Sequence, residues 1–126
     1  MREIADGVTV PVSADLEDGY GEAPDTVVTT VSLTLAAGAA GGNIEDFTGD
    51  RTRPLYDEAL AVDRIRAARA AVDAGGEPFV LVGRTDVLLV GGGLDECARE
   101  LAERGTFSYA DDQLSQTELN HLFRRA

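Results

Sequence analysis

Three short apolar runs, each closing on charged residues, alternate with two longer segments of helical periodicity, and this alternation restricts the chain to few folds. "VTVPVSAD" (8–15) carries β-branched residues at nearly every other position, with Pro11 early in the run, and predicts a strand. "APDTVVTTVSLTLAAGAA" opens with Pro24 at a first helical position and ends at Gly38, as a helix does. "AGGNIED" (40–46) predicts a second strand, whose adjacent glycines let backbones pack closely. From Asp57, a residue suited to an N-cap, "EALAVDRIRAARAAVDAGG" puts Ala61, Ile65, Ala68 and Val72 on one face, and Gly75-Gly76 stops it. "EPFVLVGRTD" is the continuous apolar run expected of a parallel strand buried on both faces, and "DVLLVGGG" stays apolar before breaking on three glycines.

The order β-α-β-α-β implies parallel pairing with right-handed crossovers. Helices are predicted over 94–104, and again from a capping box of Ser115 with Glu118, where Leu119, Leu122 and Phe123 share a face. No strand signal follows Val90. The expected class is therefore α/β, a parallel βαβαβ core with C-terminal helices.

In parallel β/α architecture all strands end on one rim, and that rim carries the active site. The three runs end at Asp15, Glu45 and Arg84, which delivers two carboxylates and a guanidinium to one face. The stretch "VSADLEDGYGE" (12–22) adds Glu17 beside Asp15. Hard oxygen ligands of this kind suit Mg²⁺, which takes one or two carboxylates and keeps several waters. Arg84, with its planar fork of donors, suits a substrate carboxylate or phosphonate.

Each feature also has a plain structural reading. An acidic turn is ordinarily a solvated loop. Arg84 can serve only to neutralise Glu45 in an ion pair. Cys97 fits a small buried hydrophobe, His121 an ordinary surface or helix-packing histidine, and "GGG" (91–93) a flexible turn, since no Lys-Ser/Thr follows it.

Composition narrows the partners. Basic residues number 11, all Arg, against 23 acidic ones, and the net charge of −12 disfavours nucleic acid and anionic membranes while favouring cations. A single cysteine makes no internal disulfide, and no apolar run approaches the ~18 residues of a membrane span, so a cytoplasmic protein is expected.

"VPVSADLEDGYG", "GAAGGNIED" and "GRTD", in that order, resemble the isocitrate lyase/phosphoenolpyruvate mutase superfamily. The resemblance implies a (β/α)₈ TIM barrel and Mg²⁺-dependent lyase or mutase chemistry, in which a P–C or C–C bond beside a 2-oxo acid or phosphonopyruvate-like group is made or broken through an enolate. It implies Asp15 as the direct metal ligand, Glu17 and Glu45 in the metal's outer shell, and Arg84 as the substrate-binding arginine. Glu17 stands where an Asp is usual. The lyase branch carries a Lys-Lys/Arg-Cys-Gly-His loop after Glu45, whereas this chain reads "DFTGDRTRPLYD", which resembles the mutase-like members.

Residues 8–97 resemble the third to fifth strands of that barrel, and 98–126 its C-terminal helical segment. A complete barrel takes ~200–250 residues, so the 126-residue chain is expected to be a single, incomplete barrel domain, internally shortened and truncated at its N-terminus. Three parallel strands leave two edges exposed, which favours a homo-oligomer or pairing with a longer relative. The alternative to an enzyme is thus an inactive barrel fragment that acts only by association, or a product of gene decay.

Overall fold

The computed structural model describes residues 1–103. Helix α1 (Arg2–Gly7) precedes strand β1 (Ser13–Asp15), helix α2 (Pro24–Ala36), strand β2 (Gly41–Ile44), helix α3 (Glu58–Gly75) and strand β3 (Val80–Gly83). A 3₁₀ helix (Val87–Val90) and helix α4 (Leu94–Glu103) follow. The sheet is parallel, ordered β1-β2-β3, with Asp15 beside Asn43 and Ile44 beside Gly83. The expected βαβαβ core is present.

Both crossover helices lie on one face of the sheet. Val27, Val31 and Thr34 of α2 fall at i, i+4 and i+7 and are buried, as are Ala61, Ile65, Ala68 and Val72 of α3. Small alanines on α3 let the two helices approach closely. The sheet contributes Ala14 and Ile44 to the same core, and Leu16 and Phe79, just after β1 and just before β3, join them. α2 is rich in β-branched residues, which lowers its helix propensity. Packing compensates, and Thr34 donates its hydroxyl to the Thr30 carbonyl at 2.8 Å. α3 stops at Gly76, which adopts φ 72°, the left-handed conformation of a helix C-cap.

The structure corrects three expectations and adds an element. The first strand is only Ser13–Asp15, because Pro11 has no N–H to give a ladder and residues 8–12 lie outside the sheet. β3 is not buried on both faces: Val80 is 64% and Val82 49% exposed, since no described element covers the face opposite the helices. The apolar run after Arg84, to which the sequence assigned no element, forms the 3₁₀ helix, closed by Gly91 at φ 92°. Asp57 precedes α3 without a side-chain cap. The helix expected from Ser115 lies outside the described residues. No described helix is long and apolar enough to cross a membrane.

Candidate active site

Side chains alternate along each strand, so burial of Ala14 and Leu16 against the helices turns Asp15 to the opposite face. Asp15 accepts the Glu17 amide at 3.1 Å on its own Oδ1, and Glu17 bends into the left-handed region at φ 50°. The turn continues with the Gly19 amide donating to the Leu16 carbonyl at 2.7 Å and the Tyr20 amide to Asp18 Oδ1 at 2.8 Å. Gly19 suits this position: φ is 81°, where a side chain is strained, and a Cβ would crowd Val27 Cγ2 at 3.1 Å.

The turn is tied to the next strand end, since the Glu45 amide donates to the Glu17 carbonyl at 2.8 Å. Glu45 itself is buried and ion-paired with Arg84. The Arg84 amide donates to the Ile44 carbonyl at 2.8 Å, extending the ladder one residue and setting Arg84 beside Glu45. Arg84 Nε lies 3.3 Å from Asp86 Oδ1, and its Nη1 lies 3.9 Å from Asp15 Oδ2. The three strand ends read from the sequence do converge. Asp15, Glu17, Asp18, Glu45 and Arg84 line one open cleft of about 500 Å³, together with Phe47, Thr48 and Gly49.

Behind the cleft stand groups that the sequence reading left out. Asp46, 2% exposed, accepts the Thr85 hydroxyl at 2.7 Å and the Asp86 amide at 2.8 Å, which locks the end of β2 to the segment carrying Arg84. Arg64, on the buried face of α3, donates to the carbonyl oxygens of Asp18, Gly21 and Glu22. Its guanidinium lies 4.2 Å from the centre of the Tyr56 ring, and the Tyr56 hydroxyl donates to Asp18 Oδ2 at 2.7 Å. Burial, and then the bond to Asp18, push the Tyr56 hydroxyl up to about 12. Burial pulls the Arg64 guanidinium below its usual value. Arg64 shares the α3 stripe with Ala61, Ile65 and Ala68, but that position alone does not separate a buried guanidinium from one whose head reaches water.

The 47–55 segment is a small hairpin. Phe47 bridges Leu55, the Thr48 amide donates to the Pro54 carbonyl at 2.8 Å, and Asp50 accepts the Thr52 hydroxyl at 2.7 Å and amide at 2.8 Å. Those two bonds hold Asp50 below the usual carboxylate range.

A family model described as phosphoenolpyruvate phosphomutase matches residues 1–110. The chain is 38% identical, over 136 aligned positions covering all of it, to 2-methylisocitrate lyase of Escherichia coli (strain K12), of which it spans 45%. Among solved structures, it is similar to a phosphonopyruvate hydrolase in complex with oxalate and Mg²⁺, with TM-score 0.75 and 29% identity over 98% of this chain and 44% of that one. It is likewise similar to the phosphoenolpyruvate phosphomutase of Streptomyces platensis subsp. rosaceus, with TM-score 0.71 and 31% identity over 82% of this chain and 38% of that one. The chain therefore spans less than half the length of these relatives, and its fold is part of their barrel. On motif, model and structure alike, it belongs to the phosphoenolpyruvate phosphomutase family, within the phosphoenolpyruvate mutase/isocitrate lyase superfamily.

Proposed function

We propose that the cleft takes a 2-oxo acid or phosphonopyruvate-like substrate together with Mg²⁺, and that it makes or breaks the P–C or C–C bond beside the oxo group. The observation that carries this reading is the delivery of Asp15, Glu45 and Arg84 to one cleft by adjacent parallel strands. The core at 8–97, within a single domain of 1–126, would carry the site.

The donor set is of the hard-oxygen kind that Mg²⁺ takes. Among the described residues, no three acidic, His or Cys side chains gather closely enough to cage an ion. In this reading Asp15 would hold the cation directly and Glu17 and Glu45 through water, with the remaining positions filled by water and substrate. Bound there, Mg²⁺ would supply positive charge where negative charge develops on the substrate oxygen.

Arg84 does the binding. Its Nε is fixed by Asp86 and its fork faces the cleft, where a carboxylate or phosphonate exchanges for the 3.9 Å contact with Asp15. Loop 47–56 contains neither Cys nor His, so no thiol or imidazole from that loop moves a proton.

Calorimetry tests this. Oxalate, a planar dianion resembling pyruvate enolate, should bind saturably only with Mg²⁺, and binding should vanish in Asp15→Ala and Arg84→Ala. A folded wild-type chain that gives no heat with both ligands sinks the catalytic reading.

One observation favours a second reading, an inert module that acts by association. Val80 and Val82 expose apolar surface on the open sheet face. A sedimentation mass of the monomer at micromolar concentration excludes self-association as its role.

A further inference from the structure

Arg64 is 1% exposed, on the same buried face of α3 as the core residues Ile65 and Ala68. A guanidinium is tolerated at such a depth only when its donors are satisfied. Here the partners are carbonyls of Asp18, Gly21 and Glu22, all on the acidic turn. The turn needs such a grip, because Glu17 at φ 50° and Tyr20 at φ 64° both hold a left-handed backbone that L-residues avoid. Tyr56 completes the connection. Its ring lies under Arg64, its hydroxyl donates to Asp18 Oδ2, and its amide donates to the Asp46 carbonyl at 3.0 Å. Asp18 is thereby engaged on both oxygens, with Tyr20 on one and Tyr56 on the other, and serves the turn as a brace.

We propose that Arg64 and Tyr56 form one positioning unit, which fixes the acidic turn from the far end of loop 47–56 and so sets the placement of the Asp15 and Glu17 carboxylates. The inference rests on the reading of that turn as the cation site. Neither residue touches the cleft, so both act through Asp18 and the turn backbone.

The test uses the full chain with Tyr56→Phe, which keeps the ring under Arg64 and removes only the hydroxyl. Arg64→Lys, which cannot reach three carbonyls at once, is the second variant, and Arg69→Lys on the exposed side of α3 is the control. Calorimetry with Mg²⁺ and oxalate should show affinity about 10-fold weaker in Tyr56→Phe, the scale on which groups behind metal ligands act. Arg64→Lys should lose more, and the control nothing. Amide exchange should quicken at 16–20 in Tyr56→Phe and stay unchanged in α3. Wild-type affinity in Tyr56→Phe overturns the proposal, as does faster exchange spread through the whole chain, which marks a merely structural role. If the wild type takes up no Mg²⁺, the cation reading falls, and exchange alone decides: equal protection at 16–20 in Tyr56→Phe and wild type overturns the positioning unit.

Discussion

Arg84 reaches across the sheet to Asp15: its Nη1 lies 3.9 Å from Asp15 Oδ2 on the far strand, while the same guanidinium pairs with Glu45 on the strand between. The cation that belongs to the chain and the cation proposed to enter from solution therefore draw on the same carboxylates. Removing Arg84 should raise affinity for Mg²⁺ alone while abolishing the dependence on oxalate. Because Asp15 is well exposed, water screens the competition, and the expected gain is about threefold. Titrating Arg84→Ala with Mg²⁺ in the absence of oxalate checks the sign. A loss of Mg²⁺ affinity would mean that the guanidinium holds the carboxylates in place rather than competing for them.

Asp46 should matter as much as any group lining the cleft, although the cleft does not include it. Its buried carboxylate accepts the half-buried Thr85 hydroxyl and the buried Asp86 amide. Asp46→Ala takes the acceptor from the buried Asp86 amide and from the half-buried Thr85 hydroxyl, at a cost of about 2 kcal/mol. Thermal melts should show that loss. Thr85→Val removes one donor and leaves the Asp86 amide bonded, so it should cost about half as much.

Gly41 stands where β2 meets β3, and a Cβ there would lie 2.9 Å from the Val80 carbonyl oxygen. Backbone cannot give way as a flexible side chain does. Gly41→Ala should therefore push the strands apart and destabilise the chain by about 1–3 kcal/mol. Gly49 meets nothing within 4 Å, but its φ of 80° makes Gly49→Ala a cost of backbone strain alone. Paired melts of the two variants should rank Gly41→Ala as the more damaging.

The strand ends were legible in the sequence because each short apolar run breaks on a charged residue, and because parallel strands share a rim. Asp15, Glu45 and Arg84 needed no long-range information. The α3 stripe was legible for the same local reason. Arg64 was not, because an Arg beside Ile65 reads as a stem lying along apolar surface with its head in water, and only the fold shows three carbonyls waiting for it. Tyr56 and Asp18 are 38 residues apart, beyond any spacing rule. The first run failed differently. Its alternation continues through 8–12, but pairing depends on a neighbour's register as well as on pattern, and β2 reaches back only to Gly41.

Tyr56 should also give the chain a signature at high pH. Its hydroxyl is raised from 10.0 to about 12, by burial first and then by the bond to Asp18. A group with a raised folded value holds its proton more tightly when folded, so its contribution is fully present below pH 10. Between pH 10 and 12 the unfolded chain loses this proton first, and stability falls as pH rises. Arg64 strengthens the argument, since its guanidinium draws the Tyr56 value down and yet burial and Asp18 prevail. Urea denaturation at pH 9, 10 and 11 should show a decline in wild type that is shallower in Tyr56→Phe, which has no proton to lose. Parallel curves for the two proteins would place the Tyr56 hydroxyl in water rather than on Asp18.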